Sequence, residues 1–202
     1  MSEFKQTWWD TEILHRYDDF CKWVGDENKF SKVFARKHVI SKGYKSLVDV
    51  GCGNASEYFG YKKDYPELNY LGVDSSKFLN QKNTERGVPM LESPIEKVDL
   101  PDNSYEVAFS RHVLEHQPKY QPGLSELIRI ASKEVINIFF IPPIEGQEEI
   151  IYTHSDNLYH NKYNKKDIED FIKSNSKVKS FEWVYCGEFH YLPEEALIIQ
   201  VA

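Results

Sequence analysis

The sequence predicts an α/β protein built on a doubly wound, mostly parallel sheet of seven strands, with one antiparallel strand and helices on both faces. From about residue 44 onward, short apolar segments alternate with segments of helical periodicity, which is the pattern of parallel strands joined by helices. The first strand runs straight into two glycines, Gly51 and Gly53. No helical pattern separates the last two strands, so we expect them to pair antiparallel.

Two amphipathic helices are predicted before the sheet. In residues 7–24, apolar residues recur at helical spacing at Trp9, Ile13, Tyr17, Phe20 and Val24. In residues 29–40, we expect an inward face of Phe30, Val33 and Phe34 and a solvent face of Lys29, Lys32 and Arg36. The glycine at position 43 is typical of a helix end.

Seven strands follow from the apolar segments, at residues 46–50, 70–74, 88–92, 105–110, 134–141, 178–186 and 195–201. A short helix is expected from about Ala55, and another covers residues 165–175. A third helix carries the stripe Leu124, Leu127, Ile128 and Ala131. The strand at 134–141 is continuously apolar near its end, as a strand covered on both faces should be.

Composition narrows the function classes. The net charge of −7 over 202 residues argues against broad binding to nucleic acid or membranes. Cys21, Cys52 and Cys186 are isolated, which predicts reduced thiols, a cytoplasmic location and no metal site. Residues 28–48 contain no acid, and their six cations predict either a solvated face or a landing patch for an anionic substrate: Lys29, Lys32, Arg36, Lys37, Lys42 and Lys45.

The paired glycines indicate a ligand site at the end of the first strand, because glycine permits positive φ and lets a ligand approach the backbone. The dinucleotide-binding pattern would have a third glycine where this chain has Ser56. Asp74 ends the second strand, twenty-one residues after Gly53. A carboxylate there can accept both hydroxyls of a ribose, and it can also cap a helix.

Three segments in this order, "VDVGCGN", "YLGVDSS" and "PMLESPIEKVDLPDNSYEVAFSRHVLEH", resemble the class I S-adenosylmethionine-dependent methyltransferases, and most closely the small type 11 ones. The resemblance covers residues 44–143 and implies a Rossmann-like fold with S-adenosylmethionine as cofactor and S-adenosylhomocysteine as product. It implies a set of cofactor-binding residues: Asp49, Gly51, Gly53, Asn54, Asp74, Ser75, Ser93, Pro94, Ile95, Ser110 and Arg111. Methyltransferases of this type often have an acid where this chain has Ser93, so we expect backbone contacts to the adenine.

Methyl transfer to a hydroxyl needs a base, and histidines are concentrated where the acceptor should enter. His112 is the candidate nearest the methyl group, His116 either bonds the loop or acts as base, and His154 is a third candidate. Glu115 is expected on a helix surface. Trp9, with its neighbour Trp8, either packs in the core or belongs to a lid that covers the cofactor.

We expect a single domain over residues 1–202, with an N-terminal helical lid (1–43), a cofactor-binding half (44–143) and an acceptor-side segment with the last strands (144–202). The predicted acceptor is a small molecule with a hydroxyl group, such as a sugar, and it could be anionic. Two alternatives stay open: a nicotinamide-dependent oxidoreductase on the same fold, and a methyltransferase-like domain that binds without catalysis. The sequence does not determine the oligomeric state.

Overall fold

A seven-stranded sheet forms the centre of the computed structural model, which describes residue 11 and residues 13–146, 148–153, 158–189 and 191–202. The strand order is β3-β2-β1-β4-β5-β9-β8, and only β9 runs antiparallel to its neighbours. The predicted single reversed strand is therefore confirmed. The strands are β1 (Ser46–Val50), β2 (Asn69–Asp74), β3 (Met90–Glu92), β4 (Tyr105–Arg111), β5 (Ala131–Phe139), β8 (Val178–Phe189) and β9 (Leu192–Val201), and a separate hairpin pairs β6 (Tyr152–Thr153) with β7 (Leu158–Tyr159).

Helices cover both faces of the sheet. Residues of α2 and α3 share one buried apolar cluster with one face, and residues of α5 and α6 share a second cluster with the other face. Such two-sided cover explains why β5 is apolar on both sides. The helices are α1 (Ile13–Val24), α2 (Phe30–Lys42), α3 (Ser56–Asp64), α4 (Lys77–Glu85), α5 (Tyr120–Ile130) and α6 (Lys165–Ser174), with a short 3-10 helix at Leu114–His116.

Several predicted strand boundaries differ from the structure, most clearly those of β5 and β3. Strand β5 begins at Ala131, because this residue pairs with Tyr105 of β4, and helix α5 already ends at Ile130. The helical stripe predicted from the sequence therefore extends one residue too far. Strand β3 is limited to three residues, since Pro89 before it has no amide N–H to donate.

The face that α2 presents to the protein is not the predicted one. Phe30 is 76% exposed, whereas Lys32 is 2% exposed and Arg36 is also buried. The Lys32 ammonium bonds the Ser56 hydroxyl and the Val24 carbonyl, and it pairs with Glu57 at 3.3 Å. The Arg36 Nε donates to Asp64 Oδ2 at 2.6 Å. The prediction of the solvent face was wrong at these two positions, because their acidic partners belong to helix α3 and the periodicity of α2 gives no information about them.

Removing the Lys32 ammonium should destabilise the protein strongly. The variant Lys32→Ala leaves the buried Glu57 carboxylate without its cation, a loss that typically costs about 3–5 kcal/mol. We expect urea unfolding to show a loss of this order, whereas Lys37→Ala, at an exposed position of the same helix, should change the free energy of unfolding by about 0.5 kcal/mol or less. A loss for Lys32→Ala as small as that of the control would mean that the pair contributes nothing.

Candidate cofactor and acceptor site

The loop after β1 carries two glycines in the left-handed conformation. Gly51 has φ +77° and Gly53 has φ +57°, values that residues with a Cβ rarely adopt. A Cβ on Gly51 would also lie 2.3 Å from Cγ2 of Val113. The amides of Gly51 and Cys52 both donate to the Val73 carbonyl, at 2.8 and 3.0 Å. The loop is therefore bonded to the end of β2, at the carboxyl edge of the sheet.

Asp74 lies beside this loop, at the carboxyl end of β2, and its side chain is held in place by backbone amides. Its Oδ2 accepts from the Gly53 amide at 2.9 Å, and its Oδ1 accepts from the Ser76 amide at 2.9 Å. These two bonds fix the orientation of the carboxylate beside the glycine loop. Ser75 is exposed next to it, and Ser76 caps α4 by accepting from the Leu79 amide.

Other side chains hold the loop from behind. The Tyr70 hydroxyl donates to Asp49 at 2.6 Å, and burial raises the pKa of Asp49 well above its usual range. The buried Asn54 accepts through its carbonyl from Arg86, and the Gly53 carbonyl accepts from Asn83, both at 2.8 Å. Asn83 and Arg86 give no signal in the sequence, because the pattern of a helix end does not indicate which distant carbonyl the polar residues of that helix bond.

The segment after β3 presents mostly backbone to the same edge. The Ser93 hydroxyl bonds within its own loop, donating to the Lys97 carbonyl and accepting from the Asp99 amide. Ile95 is buried in the core, and Pro94 is half-buried. The side chains at positions 93 and 95 are thus occupied inside the protein.

The end of β4 is joined to β9 and to α2 by a buried ion pair. The Arg111 guanidinium donates to Glu194 Oε1 at 3.0 Å and to the Ser31 hydroxyl at 3.0 Å. Burial would raise the pKa of Glu194, but the His112 hydrogen bond and the Arg111 charge lower it to about 2. The neighbouring Ser110 is fully buried, and its hydroxyl donates to the Val50 carbonyl at 2.9 Å. Both predicted site residues of this strand therefore stabilise the end of β4.

His112 combines an unusual backbone with a fixed ring. Its φ is +60°, a conformation that costs a non-glycine residue free energy and is concentrated at functional sites. Its Nε2 lies 2.5 Å from Glu194 Oε1. Because an ionised carboxylate only accepts, Nε2 is the protonated nitrogen, and the lone pair of the neutral ring is on Nδ1. Burial and the Arg111 charge lower the pKa of His112 to about 3, so the imidazole is neutral at pH 7.

His116 and Phe140 lie beside His112. Their ring centroids form a row, with 5.0 Å from His112 to Phe140, 5.3 Å from Phe140 to His116 and 5.1 Å from His116 to His160. The His116 Nδ1 lies 2.6 Å from the Tyr159 carbonyl, so it is the donor, and Nε2 carries the lone pair. The structure thus brings two of the three predicted histidines together, whereas His154 lies outside the described residues.

Glu115 is not on a helix surface, as predicted, but fully buried in the 3-10 helix. Its Oε1 accepts from the amides of Phe140 at 2.7 Å and Ile141 at 3.4 Å. Burial raises the pKa of Glu115 to about 7, although these amides act in the opposite direction. The prediction failed because the "LEH" segment forms a single 3-10 turn packed under the end of β5, where no outer helix face exists.

Helix α1 packs directly on the glycine loop. Phe20 is buried together with Ile13 and Leu79, and its ring lies 3.3 Å from the position that a Cβ on Gly53 would take. Tyr17 meets Phe78 of α4 edge to face, with 5.5 Å between ring centroids. The predicted amphipathic helix is confirmed for residues 13–24, whereas Trp8 and Trp9 lie outside the described residues.

Within the described ranges, no group of three or more His, Cys, Asp or Glu side chains could hold a metal ion. None of the helices that the structure describes is long and apolar enough to span a membrane.

Comparison with known proteins finds one family model that matches part of the chain and one curated relative. Residues 48–139 match the model of a family described as a methyltransferase domain. An uncharacterized protein of Methanocaldococcus jannaschii is 26% identical over 182 residues. That match covers 82% of this chain and 46% of the relative, so the chain spans less than half the length of this curated protein.

Solved structures share the fold. The 1,6-didemethyltoxoflavin-N1-methyltransferase of Burkholderia thailandensis, solved with S-adenosylhomocysteine bound, has a TM-score of 0.67 at 15% identity, covering 95% of this chain and 86% of that one. The magnesium protoporphyrin IX methyltransferase of Synechocystis, also with S-adenosylhomocysteine, has a TM-score of 0.66 at 14% identity, covering 93% and 94%. By its sheet order and its glycine loop, this chain has the fold of these methyltransferases, and its residues 48–139 match the methyltransferase-domain family.

Proposed function

We propose that this chain methylates a hydroxyl group of a small molecule, a sugar or another polar metabolite, with S-adenosylmethionine as the donor. The observation that carries the proposal is the pair of imidazoles at the carboxyl end of β4. Both rings have their protonated nitrogen on a protein acceptor, the Glu194 carboxylate for His112 and the Tyr159 carbonyl for His116. In the neutral form of each ring the second nitrogen carries a lone pair, which is the group that a general base uses.

The residues at the edge of the sheet fit the cofactor. Asp74 would accept hydrogen bonds from the two ribose hydroxyls, since two amides fix its carboxylate beside the glycine loop at the end of β2. The backbone of Gly51–Asn54 would contact the methionine part. The backbone around Pro94 would read the adenine edge, because the Ser93 hydroxyl is occupied in its own loop. When bound, the cofactor would supply an electrophilic methyl group, because transfer of this group turns the sulfonium into a neutral thioether.

The chain's own residues then have two tasks, orientation of the acceptor and removal of its proton. Orientation of two reactants can supply about 7–11 kcal/mol of the barrier. A base of suitable geometry contributes a further factor of about 10²–10⁴. The rings of His112 and His116 both lie against the Phe140 ring, and we place the acceptor hydroxyl beside this group, where one of the imidazoles would take its proton.

The proposed anionic acceptor gains little support. Of the six cations in residues 28–48, Lys32 and Arg36 are buried in ion pairs and do not form part of a surface patch. The structural relatives include a protein named as an N-methyltransferase, so amine acceptors belong in any screen beside hydroxyl compounds.

The reaction itself is tested by incubating the chain with S-adenosylmethionine and a panel of sugars, phenols, carboxylates and amines, with mass spectrometry as the readout. We expect the gain of one methyl group on a hydroxyl compound. Methylation of amines alone would contradict the hydroxyl proposal. Thermal stabilisation by a nicotinamide cofactor and not by S-adenosylmethionine would favour the oxidoreductase alternative, and cofactor binding without any transfer would favour the non-catalytic one.

Asp74→Ala should weaken cofactor binding. Hydrogen bonds to a charged group contribute roughly 1.5–3 kcal/mol each, so the loss of two should raise the Kd for S-adenosylhomocysteine by about tenfold or more. Isothermal titration calorimetry measures this. The control Glu67→Ala removes an exposed acid before the amino end of the same strand and should leave the Kd unchanged. An unchanged Kd in a folded Asp74→Ala variant would remove the ribose assignment.

The imidazoles can be separated by substitution once an acceptor is found. Of the variants His112→Gln and His116→Gln, the one that removes the base should lower kcat by about 10²–10⁴-fold. It should retain its affinity for the cofactor. Because the pKa of His112 is about 3, catalysis by His112 should show no acid limb from this residue between pH 5 and 8. An acid limb in that range that disappears in His116→Gln would assign the base to His116. Normal turnover in both variants would exclude both residues.

Helix α1 should act as a lid over the cofactor. Phe20 packs against Gly53, and Tyr17 contacts Phe78, which follows Asp74 by four residues in the chain. A cofactor bound at this loop has to displace these contacts or be enclosed by them. We expect hydrogen exchange in residues 13–24 to differ between the free protein and its complex with S-adenosylhomocysteine, while α6 is unchanged. Equal protection of α1 in both states would show that the helix is fixed core packing.

A further inference from the structure

We propose that Glu115 is a positioning residue, which holds the Phe140 ring between the imidazoles of His112 and His116 and so sets the direction of their lone pairs. The inference rests on the proposed function, because it assigns a task within the acceptor side of that site. It adds a residue that was expected on a helix surface and whose side chain bonds the Phe140 and Ile141 amides instead of an imidazole.

The contacts of Glu115 lead to Phe140. The carboxylate Oε1 accepts from the Phe140 amide at 2.7 Å and from the Ile141 amide at 3.4 Å. These are the first residues after β5, where the sheet ladder no longer holds the chain. The Phe140 ring then lies 5.0 Å from the His112 ring and 5.3 Å from the His116 ring. Glu115 therefore holds the chain where it leaves β5, and with it the backbone of the residue that carries this ring.

The turn that carries Glu115 is itself anchored from the other side. The Glu115 carbonyl accepts from the Asn161 amide at 3.0 Å. The Asn161 amide nitrogen Nδ2 donates to the Gln117 carbonyl at 2.6 Å, and the Tyr163 hydroxyl donates to the Leu114 carbonyl at 2.8 Å. The 3-10 turn, the end of β5 and the segment before α6 therefore form one buried hydrogen-bonded unit around Glu115, a rigid support of the kind that a site needs if its side chains are to stay aligned.

The role is positional and does not need a charge. Oε1 can accept from Phe140 whether or not the carboxyl is protonated on the second oxygen, Oε2, which has no hydrogen-bond partner among the described residues. The charged groups acting on Glu115 are few: Arg111 lowers its pKa, and Arg111 already pairs with Glu194. A glutamine at this position keeps an acceptor oxygen for the Phe140 amide, whereas an alanine does not.

The protein contains a matched control. Glu134, at the other end of β5, is also fully buried and holds a histidine, since its Oε2 lies 2.8 Å from His38 Nε2. Replacing Glu134 should disturb His38 and leave His112 and His116 as they are. Replacing Glu115 should do the reverse, although both changes remove a buried carboxylate from the same strand region.

The experiment is NMR of the full chain with labelled histidine, titrated with pH, on the variants Glu115→Ala, Glu115→Gln and Glu134→Gln. Single His→Gln variants assign the ring signals. We expect Glu115→Ala to change the ring signals and titration curves of His112 and His116, Glu115→Gln to keep them close to the unsubstituted protein, and Glu134→Gln to change only His38. With an acceptor in hand, Glu115→Ala should lower kcat by on the order of 10²-fold, while calorimetry shows unchanged affinity for S-adenosylhomocysteine.

Unchanged His112 and His116 signals in Glu115→Ala would overturn the proposal, and so would equal changes in Glu115→Ala and Glu115→Gln. If Glu115→Ala does not fold, Phe140→Leu replaces it, because it keeps the amide bond to Glu115 and removes the ring; unchanged imidazole signals would again overturn the proposal. The NMR readout needs no acceptor. A failure to find methyl transfer would therefore count against the proposed function and not against the position of Glu115.

Discussion

The contacts of the buried Glu194 carboxylate are the interaction on which the carboxyl end of β4 depends. Glu194 lies on the one reversed strand and binds Arg111 and His112 at the end of β4, while Arg111 reaches Ser31 of α2. Three elements that are distant in sequence are thereby joined at the carboxyl edge of the sheet. The same contacts keep Glu194 ionised, which in turn determines the tautomer of His112. Removing one partner from such a buried charged group costs more than the pair contributes, because a charge is left unpaired.

Two fully buried glutamates lie within this site, and their environments push their pKa values in opposite directions. Burial alone raises the pKa of a carboxyl group. Glu194 overcomes burial through a hydrogen bond from His112 and the charge of Arg111, and its pKa is about 2. For Glu115, backbone amides and the Arg111 charge oppose burial without overcoming it, and its pKa is about 7. One residue type thus serves as a permanent anion in one place and as a near-neutral hydrogen-bond acceptor in the other.

The cofactor side is organised by a different constraint, the shape of the backbone. Gly51 and Gly53 both require positive φ, and Gly51 has no room for a Cβ beside Val113. Asp74 locks the loop through the Gly53 amide before any ligand is considered. Such a preorganised loop costs little entropy when a cofactor binds. Contacts within the protein thus preorganise the glycine loop, and the two sides of the candidate site meet at the ends of β1 and β4.

Periodicity and strand-end motifs are local properties of the chain, so the sequence alone predicted the strands of the main sheet, most of the helices, the reversed strand, the glycine loop and the position of Asp74. β1 is predicted to the residue, and the parallel strands necessarily end at one edge. The tertiary structure decided which polar side chains are buried and which groups they bond. Lys32 and Glu115 were expected at the surface, and Asn83, Arg86 and Glu194 gave no signal. Their partners lie 24 to 83 residues away along the chain, and the free energy of a buried charge or hydrogen bond depends on that partner and not on the local sequence pattern.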